Sequence, residues 1–185
     1  MNEQKTQVTH AATWDKKKPL LALTLWQPWA FGVAHGWKLV ENRDWVPSWK
    51  QLQPGDDLVI HAAVKQGGVQ SDWLDMRTRA RAAGVIDKVP TFEVAHVNRW
   101  IAYGAIVAVA RFDGIAHKVT DLAPEQRPWW VGRFGWKLSN VRQLHTAIPC
   151  RGHQQLWALG GVELERLERE LGTDEGFGLW RRTAV

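Results

Sequence analysis

Lys38, Glu41, Arg43 and Trp45 fall within one short stretch, GWKLVENRDW. If that stretch is a strand, Glu41 and Arg43 stand two apart on one face with Leu39 and Trp45, and Lys38 enters just before them. A lysine, a carboxylate and an arginine beside an indole have the chemistry of a nucleotide site. The cations take phosphate, Glu41 takes a base amino group, and Trp45 or Trp29 stacks on the ring. The same residues also make an ordinary surface ion-pair cluster, which is the commoner outcome on an edge strand.

A second aromatic and basic stretch, PWWVGRFGW, carries Trp129, Trp130 and Trp136 around Arg133. It reads either as a loop that closes over a base or as a plug for an open barrel end. The expectation is a divided role, with Trp129 or Trp136 in the cleft and Trp130 in the core. Acid–base chemistry has further candidates in His61, Lys65 and Tyr103, among which the sequence does not choose; a lone histidine is more often structural than catalytic. Glu93 and His96 have i, i+3 spacing but no evident partner ligands. The single cysteine, Cys150, excludes an internal disulfide, a paired-cysteine zinc site and the PCxxC pattern of zinc deaminases. The expectation is no metal and no cofactor.

Composition narrows the class of partner. The net charge is +5, and the stretch from Val162 onward carries six acids against four arginines, so the part before it is more basic than the whole. Such an excess suits a polyanion. Thirteen tryptophans against one tyrosine exceed what a core selects for filling alone, because a buried indole N–H needs an acceptor. A few of the thirteen are therefore expected to stack on bases. No apolar run reaches the roughly 18 residues of a membrane helix, and no signal-peptide core is visible, so the chain is read as cytoplasmic, without a membrane and monomeric.

The elements that must position these residues follow from apolar periodicity. Residues 1–18 read as a flexible tail ending at Pro19, residues 19–161 as one domain, and residues 162–185 as a helical extension packed on it. LLALTL reads as a buried strand, with Pro28 in the first turn of a helix that stops at Gly36. Lys38–Trp45 and DLVIHAA read as strands. Ser71 is expected to cap a helix with an apolar stripe of Trp73, Met76, Ala80 and Ala83, flanked by a solvated arginine face and ended by Gly84. Tyr103–Phe112 reads as a central strand and QLWAL as the last one. VELERLEREL reads as an amphipathic helix that ends at Gly172, and Phe177 and Trp180 are possible anchors beyond it. Short strands interrupted by helices predict an α+β mixed β-barrel with flanking helices.

The run LTLWQPWA, then GWKLVENRDW, then LVIHAA, and finally RGHQQLWAL together resemble the ASCH family of the PUA-like superfamily, over about residues 20–160. The resemblance implies a PUA-like β-barrel and a cleft lined by those blocks. The cleft would take RNA, another nucleic acid or a modified nucleoside, with Trp26, Gln27, Pro28, Trp29, Lys38, Glu41, Arg43, Trp45, Lys65, Trp129, Arg133 and Trp136 as its binding residues. Some small ASCH proteins are N4-acetylcytidine amidohydrolases, and ribonuclease activity has also been associated with the family. Either activity would centre on Lys38 and Glu41. At the position of the amidohydrolases' catalytic threonine this chain has Glu41, so the nucleophilic hydroxyl is missing there.

Overall fold

The computed structural model describes residues 18–64, 69–97 and 99–172. In chain order these residues form β1 (Leu21–Leu25), α1 (Trp29–Ala34), β2 (Val40–Arg43), β3 (Asp57–Ala62), α2 (Val69–Ala82), α3 (Phe92–Val97), β4 (Ala105–Ala116), β5 (Phe134–Pro149), β6 (Leu156–Ala158) and α4 (Gly161–Gly172). Short 3₁₀ turns at Ile86–Lys88, Val119–Asp121 and Pro124–Trp129 complete the connections. Residues 1–17, which hold most of the expected tail, lie outside the described residues, as do Lys65, Phe177 and Trp180.

The six strands form one mixed sheet in the order β2-β5-β4-β3-β1-β6, in which β1 and β3 are parallel and the other pairs antiparallel. The long β4–β5 hairpin breaks register three times, between Ile106 and Ala108, Val109 and Arg111, and Phe112 and Ile115. Such irregularities bend a strand and increase its twist. The sheet therefore curls into a half-barrel with flanking helices, the expected α+β class. The curl is visible in one bond: Arg43 Nη2 on β2 donates to the Thr24 carbonyl on β1 at 2.9 Å, although these strands stand first and fifth in the order.

Strand alternation sorts the core. Leu23, Leu25, Leu58, Ile60, Phe112 and Trp136 fill the inside of the half-barrel with Val33 and Ala34 of α1. Ala22, Val59, Ile106, Val109 and Leu144 face the other way, under Leu167 and Leu171 of α4. A third cluster joins Trp73, Met76 and Ala80 of α2 to Phe31, Val40 and Trp129.

Several elements differ from the sequence expectation in their details. The β2 strand covers only Val40–Arg43, so Lys38 and Trp45 lie outside it. Ser71 does not cap α2, because the helix begins at Val69 and Ser71 is inside its first turn. The arginine face of α2 is only partly solvated. Arg77 donates to the Val89 carbonyl, and Arg79 donates to Asp75 at 2.9 Å and to the Pro128 carbonyl at 3.0 Å. These guanidinium groups fasten α2 to neighbouring loops, a role that helix periodicity does not encode.

Candidate functional site

The exits of β1 and β2 meet at the mouth of the half-barrel. Lys38, just ahead of β2, is 2% exposed, and its ammonium donates to Glu41 Oε2 at 2.5 Å and to the Val40 carbonyl at 2.6 Å. The other carboxylate oxygen, Glu41 Oε1, lies 3.3 Å from Arg43 Nη2. Glu41 is paired across the sheet with Trp136, so it points into the half-barrel. Burial pushes the Lys38 amine below the usual lysine range; attraction to Glu41 opposes this without cancelling it, and Arg43 and Arg79 add repulsion.

Side-chain exposure rises along this chain of charges, from 3% for Lys38 to 10% for Glu41 and 24% for Arg43. Lys38 is therefore not a surface cation for phosphate. Its ammonium is spent inside, on a carbonyl and a carboxylate. Nor is the group the surface ion-pair cluster that an edge strand would carry. Arg43 is the cation that reaches the mouth, and its Nε is buried without a hydrogen-bond partner among the described residues.

Tryptophans flank Arg43 on both exits. Trp26, two residues beyond Thr24, is 60% exposed. Trp45, two residues beyond Arg43, is half-buried and sits edge-on to Trp136 at 4.8 Å between ring centroids, while its carbonyl accepts the Trp136 indole N–H at 3.2 Å. Gln27 holds the mouth rather than lining it. Its amide donates to the Ala102 carbonyl at 2.7 Å and accepts from the Phe31 N–H at 3.0 Å. Pro28 is buried, and Trp29 is half-buried against the α2 cluster.

The expected division of the PWWVGRFGW stretch is corrected by burial. Trp129 and Trp136 are both 0% exposed and so have no free face for a base, and Trp130 is the half-buried member. The cause lies in two polar residues that carry no motif signal. Asn42 donates to the Trp129 carbonyl at 2.9 Å and accepts from the Val131 N–H at 2.8 Å, while Gln126 accepts from the Leu39 N–H at 2.7 Å. Together they pin the loop against β2 and press Trp129 inward. Gly135 belongs to the same join: a Cβ there would lie 2.6 Å from Val40 Cγ2 and 2.7 Å from Trp130. Arg133 is exposed, with its guanidinium 4.9 Å from the Phe134 ring centroid.

Of the further acid–base candidates, His61 is 1% exposed and faces away from Glu41, on the α4 side of the sheet. Tyr103 has a buried hydroxyl with no partner among the described residues, and burial pushes its phenol upward. Lys65 lies outside the described residues. Among the described residues no group of three or more His, Cys, Asp or Glu is placed to hold a metal, and no helix is long and apolar enough to cross a membrane. Thr24, which no sequence motif singles out, proves central to the mouth, since its carbonyl receives Arg43.

The described residues form an α+β domain around a curled six-stranded mixed sheet. Neither a family model nor a curated protein sequence matches the chain. Among solved structures it is similar to the ASCH protein from Zymomonas mobilis, at 14% identity and a TM-score of 0.44, over 80% of this chain and 93% of that one. Two mutants of that protein give the same identity and TM-score, over 81% of this chain and 96% and 94% of theirs.

Proposed function

We propose that this protein binds single-stranded RNA, or a flipped or modified base, at the mouth of the half-barrel. The observation that carries the reading is Arg43: a partly exposed guanidinium fixed between β2 and the Thr24 carbonyl, with Trp45 two residues beyond it and the exposed Trp26 two residues beyond Thr24. A held guanidinium beside aromatic faces suits phosphate or a base edge together with stacking. Glu41 and Lys38 work behind it, fixing the orientation of Arg43. Arg133 extends the basic rim, and the excess of positive charge steers a polyanion toward it. The chain acts as a monomer in the cytoplasm and needs neither metal nor cofactor.

Fluorescence anisotropy of a labelled single-stranded RNA tests the reading. Binding should weaken steeply as salt rises, with a log–log slope of about −0.7 for each phosphate contact. Salt-independent binding would instead favour an apolar protein partner, and no binding would remove the proposal.

A second reading, hydrolysis of an N4-acetylcytidine-like amide or of RNA, draws support from the Lys38–Glu41 pair, since a buried amine pushed toward neutrality can act as a base. Glu41 in the threonine position weighs against it. Chromatography of N4-acetylcytidine incubated with the protein and with Lys38→Ala separates the two readings. Cytidine released only by the intact protein would replace binding with catalysis.

A further inference from the structure

Thr24 belongs to two sites at once. Its carbonyl receives Arg43 at the mouth, while its hydroxyl, on the opposite face of the sheet, accepts the Trp157 indole N–H at 3.2 Å. Beside it in register on β3 stands His61, whose Nε2 lies 3.2 Å from the Cys150 carbonyl and whose Nδ1 is buried with no partner among the described residues. Gly152 lies directly over both. A Cβ at that position would come within 2.5 Å of His61 Nδ1 and 2.8 Å of Thr24 Oγ1. The Trp157 ring then stands edge-on to His61 at 5.8 Å and tilted against His153 at 5.2 Å. The connection from Cys150 to Trp157 is anchored at its ends by the Cys150 N–H on the Gly104 carbonyl at 3.0 Å and by the pairing of β6 with β1, and its middle, at Gly152, rests on one imidazole and one hydroxyl.

We infer that His61 is a latch for this connection: neutral, it lets residues 150–157 close over the sheet and fix Thr24, and protonated, it lifts them and loosens the Arg43 seat. The inference is a regulation of the mouth and rests, for its consequence there, on the proposed binding function. With Nε2–H donating to Cys150, neutral His61 leaves only a lone pair at Nδ1, which can lie under Gly152. The imidazolium instead carries a second N–H into a place with no acceptor among the described residues, an unsatisfied buried charge.

Of the groups facing His61 only the Cys150 carbonyl favours that charge, and burial outweighs it; His153 repels it, and Arg151 is exposed in the same connection. The nearby acid, Glu163 of α4, acts on the Cys150 thiol. Burial accordingly holds the imidazole below its usual range, so the latch opens on the acid side of about pH 6.5.

Hydrogen–deuterium exchange on the full chain, corrected for intrinsic rates, reads the latch without any ligand. Between about pH 7.5 and pH 5 the amides of residues 150–158 should lose at least about tenfold in protection while α2 keeps its own, and His61→Gln should abolish that difference. Unchanged protection in the wild type, or the same acid loss in His61→Gln, would overturn the latch. Should His61→Gln not fold, Gly152→Ala replaces it, and its methyl group should give at pH 7.5 the exchange that the wild type shows at pH 5. A labelled single-stranded RNA supplies the second arm. Affinity that falls in acid for the wild type only joins latch and mouth. Loss of protection without RNA binding at any pH keeps the latch and removes the binding function.

Discussion

The Asp57–Arg142 pair and the Lys38–Glu41–Arg43 chain are both buried charges, but they are finished differently. Asp57 Oδ1 and Arg142 Nη2 lie 2.5 Å apart with side chains only 8% and 7% exposed, sealed on the α4 side of the sheet. The second cluster runs from 3% exposed at Lys38 to 24% at Arg43 and ends among tryptophans. A sealed pair serves only the scaffold, where its desolvation is repaid within the fold at best. A graded chain ends in a cation held in place from behind yet open to a partner. Burial of charge alone does not tell the two clusters apart; the gradient toward solvent does, and the proposed binding function rests on it.

The largest effect that would break this comparison is expected at the sealed pair. Arg142→Met leaves Asp57 buried and unpaired and should cost about 3–5 kcal/mol of stability in a denaturant titration. RNA affinity of the folded fraction should not change. Next comes Arg43→Ala, expected to weaken RNA binding by about 1.5–3 kcal/mol and, through the lost bond to the Thr24 carbonyl, to lower stability by about 1 kcal/mol, less than Arg142→Met. Trp26→Ala should weaken binding by about 1–2 kcal/mol through lost stacking, with stability changed by less than about 0.5 kcal/mol, because that side chain is 60% exposed. A larger loss of stability than of affinity at Trp26 would place it in the scaffold.

The smallest effect sharpens the account of Lys38. Its amine is held below the lysine range when folded, so the unfolded chain binds more protons between the folded value and about 10.4. Stability from this group therefore rises with pH through that alkaline window, by up to about 1.4 kcal/mol per pH unit, and is lost below it. Lys38→Met should remove the rise. A wild-type profile that falls there while Lys38→Met stays flat would mean that Glu41 outweighs burial.

Periodicity and motif order made the broad plan legible. The apolar alternation of β1, β3 and β4 marked the sheet, and the stripe of Trp73, Met76 and Ala80 marked the buried face of α2. The composition of the mouth was also legible, because the ASCH-like blocks placed Lys38, Glu41 and Arg43 together. The depth of each residue was not. Lys38 reads as an exposed cation until the carbonyl of Val40 and the carboxylate of Glu41 close around it. Trp129 and Trp136 read as stacking faces until Asn42 and Gln126 pin their loop to β2. Those polar bonds span more than eighty positions in sequence, so no local pattern announces them. Thr24 escaped for a similar reason, since its backbone carbonyl and not its side chain receives Arg43.

The most direct test of the central claim is to titrate one labelled single-stranded RNA against the wild type, Arg43→Ala and Arg142→Met at equal folded concentration. Arg142→Met should bind like the wild type, and Arg43→Ala at least about tenfold more weakly. Equal affinity for Arg43→Ala and the wild type would contradict the assignment of the mouth as the site.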